Sequence, residues 1–153
     1  RKPSGTVVIL TGGSKRTVKI NAPLTESRRK IRKIFLLIAA VGLVPIAFSY
    51  GLMPQKSLNY LFDFSVSDTN SIHIFRAIMG LYLAHSLFWI IGVSKAQLRQ
   101  AALYSLIVFM LGLAAGRILS IIIDGIPHWL LIVYLLLELS FGVTGLFLVK
   151  KTE

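Results

Sequence analysis

Residues 98–150 read LRQAALYSLIVFMLGLAAGRILSIIIDGIPHWLLIVYLLLELSFGVTGLFLVK. Two apolar runs, Leu98 to Ile123 and His128 to Val149, are parted by Asp124-Gly125-Ile126-Pro127. Each run is near the roughly 20 residues that carry a helix across about 30 Å of hydrocarbon. Upstream the pattern recurs twice, from Ile34 to Leu52 and from Ile72 to Val93. A segment that crosses lipid must satisfy its own backbone hydrogen bonds, so all four runs read as helices. The expected fold is an all-α membrane protein, a four-transmembrane-helix bundle with helices over about 31–52, 71–93, 95–123 and 127–149.

Composition agrees. Of 153 residues 55% are hydrophobic and 15% charged, and the mean hydropathy is +0.74. A soluble domain of this length needs a larger polar shell. There are no cysteines, so disulfides, thiolate metal sites and cysteine nucleophiles are excluded.

The net charge of +11 is unevenly placed. Residues 1–33 hold ten of the seventeen basic residues and a single acid, Glu26. Set before a membrane-spanning body, this arm faces lipid headgroups or a partner rather than nucleic acid. Its last residues, Arg28, Arg29, Lys30, Arg32 and Lys33, abut the first span. Lys95 and Arg99 fall between the second and third spans, and Lys150 and Lys151 follow the fourth. The other two connections are acidic or neutral, so positive charge marks one side throughout. That asymmetry predicts both termini in the cytoplasm, and the inner (plasma) membrane is the expected location.

Residues 1–30 read as a basic cytoplasmic arm with a β-hairpin over 6–20, and 31–151 as the bundle. The glycine turn Thr11-Gly12-Gly13-Ser14 resembles a phosphate loop, but a second β-like run follows it where a helix is required. Pro54 closes the first helix, Asn70 or Ser71 caps the second, and Ser94 caps the third. Pro45 stands inside the first run and is expected to kink it. The apolar connection Lys56 to Thr69 is expected to cap the bundle at the outer interface.

Ionisable residues inside spans are costly in lipid and demand partners. Arg76 and Arg117 each lie about 10 Å outward of their helix midpoints, while Glu138 falls near the middle of the fourth helix. With Asp124 at the outer edge they make a neutral set, and His85 is close to Glu138 in depth. The five are expected to form a buried polar cluster. The simpler reading is an ion-paired clasp that fixes helix register. The functional one is a site for an anionic headgroup, a small acid or a proton. No cofactor is expected; haem or pigment ligation by His85 is the minor alternative. No metal-ligand spacing and no catalytic residue set is present, so no enzyme is expected.

Gly80, Gly112, Gly116 and Gly142 are candidate helix-packing positions, Gly112 and Gly116 forming a GxxxG pattern read as internal packing. Trp89 and Trp129 lie near span ends, where interface anchors belong.

Four pieces in order carry a resemblance: Phe75-Arg76-Ala77-Ile78-Met79-Gly80, Gly116-Arg117-Ile118-Leu119-Ser120, Asp124-Gly125-Ile126-Pro127 and Glu138-Leu139. On these, residues 34–149 resemble an uncharacterised bacterial family of small four-helix integral membrane proteins, a domain of unknown function. The resemblance implies the bundle and no activity, and leaves the basic arm outside. The leading functional expectation is a non-catalytic accessory subunit of a larger membrane assembly, docking through its helices and arm on a partner and on anionic lipid. The alternative is a small transporter or lipid/quinone-binding protein centred on Arg76, Arg117 and Glu138, with a water-accessible cavity between the second, third and fourth helices.

Overall fold

A computed structural model describes the backbone of residues 6–11, 14–19 and 22–150 and the side chains of residues 26–149. Two strands, β1 (Thr6–Thr11) and β2 (Ser14–Lys19), pair antiparallel with Val7 opposite Val18 and Ile9 opposite Arg16. The expected glycine turn at 12–13 lies outside the described residues. Five helices follow: α1 (Ala22–Gly51), α2 (Pro54–Phe62), α3 (Thr69–Ser94), α4 (Arg99–Asp124) and α5 (Trp129–Lys150).

Four of these helices are long and apolar enough to cross a membrane: Glu26–Gly51, Thr69–Ser94, Arg99–Asp124 and Trp129–Val149. Helix α1 starts nine residues before the expected position at 31. Hydropathy falls there, yet nothing breaks the helix. Pro23 sits in the first turn, where a missing amide proton does no harm, and arginine and lysine are good helix formers. The basic residues 28–33 therefore belong to α1 and not to a separate arm. The helix also runs on through Pro45.

The connection expected to cap the bundle contains α2. Pro54 opens this helix at its first turn, and Asp63 closes it in the left-handed conformation at φ 54°. The N-cap of α3 is Asp68, not Asn70 or Ser71; its carboxylate accepts from the Ser71 amide at 2.8 Å. Bonds from Ser71 hold the Asp68 carboxyl below the usual carboxylate range. Ser94 ends α3, and α4 begins only at Arg99, with no side-chain cap. Asp124 and Gly125, the latter at φ 97°, break α4 from α5.

The extensive helix interfaces are α1–α3, α4–α5 and α3–α4. On α1 the buried residues Leu36, Ala39, Ala40, Leu43, Ala47 and Tyr50 follow a helical period, as do Ala102, Leu103, Leu106, Met110 and Ala114 on α4. Ser86 of α3 donates to the Ala40 carbonyl at 2.9 Å across the α1–α3 seam. Trp89, expected at an interface, is wholly buried among α1 and α4 residues, whereas Trp129 is exposed.

Arginines finish two helices. Arg32 Nη2 donates to the Leu148 carbonyl at 2.7 Å, and Arg99 Nη2 to the Val93 carbonyl at 3.2 Å. Cations at helix C-termini satisfy carbonyls that have no intrahelical partner and suit the helix dipole. The first of these bonds fixes the basic part of α1 and the end of α5 at the same end of the bundle.

The glycines divide in an unexpected way. A Cβ at Gly142 would collide with Leu111, and one at Gly92 with Ala102, so these positions let helices approach closely. Gly80, Gly112 and Gly116 meet nothing within 4 Å, and Gly112, Ala115 and Gly116 are exposed. The GxxxG pattern therefore faces outward and does not pack the bundle internally. Gly142→Val should lower thermal stability by about 2 kcal/mol through overpacking, and Gly112→Val by no more than about 0.5 kcal/mol. Circular-dichroism melts in detergent compare them, and equal losses would restore internal packing at Gly112.

Candidate functional site

Two of the five expected polar residues meet. Arg117 of α4 and Glu138 of α5 form an ion pair in which the Arg117 Nε–H donates to both carboxylate oxygens, each at 2.9 Å. Their side chains are 19% and 9% exposed, respectively. Glu138 lies about 2 Å along the axis from the middle of α5, deep in the span. Three tyrosines surround the pair. The Tyr134 ring lies 5.6 Å below the guanidinium carbon, Tyr50 stands edge-on to Tyr82 with ring centroids 5.8 Å apart, and Tyr82 lines the adjoining cavity.

The other three residues stand elsewhere. Arg76 is exposed on the outside of α3 and makes no ion pair among the described residues. It lies within about 10 Å of the helix end, so its long side chain can reach the headgroup region. Asp124 accepts from Ser120 Oγ at 2.8 Å on the exposed end of α4. His85 Nδ1 bonds to the Leu81 carbonyl at 2.9 Å, and its ring lies 4.4 Å from that of Phe109 and 6.2 Å from that of Trp89. The expected five-residue cluster is thus a two-residue pair. Depth along a helix had suggested the grouping; direction around the helix separates it.

The pair borders a cavity of about 100 Å³ lined by all four spanning helices. Helix α1 contributes Ile38, Gly42 and Ile46, α4 contributes Leu113, and α5 contributes Leu137 and Phe141. Apart from Arg117, Glu138 and two tyrosines the lining is apolar. The alternative reading had placed a water-accessible cavity between α3, α4 and α5, without α1.

The way in follows from how α1 meets α5, which is not one of the extensive interfaces. Toward one end the two helices are joined by the Arg32 bond to Leu148 and by stacking of Phe35 on Phe141, with centroids 5.4 Å apart. Toward the other, Phe62 of α2 bridges Tyr50 of α1 to Tyr134 of α5 and to His128 just before it. Between these clasps Ile38 is 56% and Leu137 46% exposed, and Gly42 is exposed with open space at its Cβ position. The cavity is therefore a lateral cleft between α1 and α5, at the depth of the middle of the apolar spans. Gly42 and the tyrosines escaped the sequence reading. A tyrosine within an apolar run was the one available signal, since a buried phenol needs a partner.

The chain belongs to the family described as Domain of unknown function (DUF4345), which it matches over residues 31–149. That range contains all of the cleft, and excludes the strands and the basic start of α1. Comparison with curated proteins and with solved structures gives no match.

Removing one member of a buried ion pair leaves the other charge stranded. Arg117→Gln and Glu138→Gln should each cost about 3 kcal/mol, and the double substitution less than either. A double-mutant cycle on unfolding in detergent measures this, and additive losses would contradict the pairing.

Proposed function

We propose that this chain is a non-catalytic multi-pass membrane protein, with both termini in the cytoplasm, that binds a lipophilic small molecule in the lateral cleft. The observation that carries the reading is unfilled space beside a charged pair. Interiors pack densely, and a void beside the pair forfeits contacts that a larger residue at Gly42 would supply. Stability alone gives no reason to leave it open. A ligand site does, because small-molecule sites are concave, mostly apolar and supplied with a few polar groups.

A binding role without catalysis agrees with the polar inventory. Both oxygens of Glu138 are held by Arg117, so the carboxylate is committed to its partner. The orientation rests on the basic flanks at residues 28–33, 95–99 and 150–151.

A second reading, an accessory subunit of a membrane assembly, is favoured by one observation. The outward face of α4 presents Gly112, Ala115 and Gly116 beside Val108 and Leu119, a surface on which another spanning helix can approach closely. The two roles are compatible, since this face and the cleft are on different sides of α4. The basic residues of α1 and the strands before it would add cytoplasmic contacts to such a partner or to anionic lipid.

Gly42 lines the cleft and a Cβ there meets nothing within 4 Å, so Gly42→Leu is the variant expected to occupy it. Wild-type protein purified in mild detergent and extracted with organic solvent should yield a bound lipophile by mass spectrometry, and Gly42→Leu should yield less than about a tenth as much. Identical extracts from the two would remove the ligand role. For the second reading, Gly112→Ile should release the chain from any assembly on native gels; unchanged migration would count against docking at α4.

A further inference from the structure

The cleft contains information about which lipophile it takes, and the first constraint is charge. Arg117 and Glu138 are the only residues of its lining that carry full charges, and they neutralise each other. An anionic head placed beside them would bring an uncompensated negative charge into hydrocarbon, or would have to separate Glu138 from Arg117. An uncharged head incurs neither penalty.

The second constraint is the direction of hydrogen bonding. Glu138 is paired through Nε alone, which donates to both of its oxygens. A guanidinium carries four further N–H donors on its two Nη atoms. Among the described residues the buried side-chain N and O atoms without a partner are Trp89 Nε1 and Arg99 Nε, so the remaining Arg117 donors are not sealed in protein. Arg117 lines the cavity. The cleft thus offers charged donors on Arg117, while the charge of Glu138 is already paired, and it suits a head that accepts.

Resting on the lipophile-binding role, we propose that the cleft takes an uncharged lipophile bearing a carbonyl acceptor and discriminates against an anion of the same shape. The carbonyl oxygen accepts from Arg117 while the Arg117–Glu138 pair stays intact. The cavity of about 100 Å³ holds the head and first carbons, bounded by Tyr82, Tyr134 and Phe141. The tail leaves between α1 and α5, past Gly42, into the bilayer.

Three probes with one chain length separate the contributions: methyl dodecanoate, dodecanoate and dodecane. Each is partitioned in tritiated form between empty nanodiscs and nanodiscs carrying the full chain, at about pH 9 so that the acid is ionised. The ester should bind about tenfold tighter than the carboxylate, and about tenfold tighter than dodecane, the size of one hydrogen bond to a charged donor. Arg117→Leu combined with Glu138→Leu should reduce the ester to the level of dodecane. The comparison of wild-type affinities stands even where that variant does not fold. Carboxylate binding as tight as the ester would overturn the selectivity and leave the lipophile site in place. No enrichment of any probe, or enrichment that Gly42→Leu does not change, would overturn the site itself and the selectivity with it.

Discussion

A full charge inside hydrocarbon is tolerated only with a partner, and this requirement governs the centre of the bundle. Arg117 and Glu138 neutralise each other between α4 and α5, and doing so fixes the rotation of both helices. The close α4–α5 approach at Gly142 depends on that rotation, because it brings the glycine against Leu111. Across the α1–α3 seam Ser86 donates to the Ala40 carbonyl. Polar bonds therefore tie together helices that lipid exposure alone would not orient, since in a bilayer the hydrophobic effect gives little reason for helices to associate.

The remainder of the bundle builds outward from that constraint. Alanines on α1 and the Ser86 bond to Ala40 let α1 and α3 pack over most of their length. Between α1 and α5, by contrast, the ring and hydrogen-bond contacts gather, among the described residues, at two clasps, Phe35–Phe141 with Arg32 at one end and Phe62 at the other. A seam fastened at both ends and open in the middle produces a window at the depth of the ion pair. The same arrangement explains why α2 is a helix: its Phe62 must reach α5 as well as Tyr50, and a rigid short helix capped by Asp63 supplies that reach.

The four spans were legible in the sequence because hydropathy over 20 residues is a strong signal and only helices satisfy it in lipid. The start of α1 and the helix α2 were not, since helix propensity continues where hydropathy stops. The Arg117–Glu138 pair was legible from depth and the need for neutrality. Arg76 was misplaced because depth says nothing about the face of the helix, which turns about 100° per residue. A GxxxG pattern reads the same whether it faces a helix or lipid, so Gly112 and Gly116 were assigned inward. Trp89 was misread for a similar reason: a tryptophan near a span end can anchor at headgroups or fill the core, and only its neighbours decide. The cleft could not be read at all, being a gap between helices that are distant in sequence.

The central claim is that the ion pair is reached from the hydrocarbon through the window at Gly42. Paramagnetic broadening in nanodiscs tests it, using a nitroxide near the end of a lipid acyl chain and, separately, a water-soluble gadolinium chelate. The account expects the lipid nitroxide to broaden the Gly42 and Leu137 signals strongly and those of buried Ala40 and Leu103 weakly, with the aqueous agent leaving all four sharp. Broadening of Gly42 and Leu137 by the aqueous agent instead, or by neither agent, would contradict a lateral cleft.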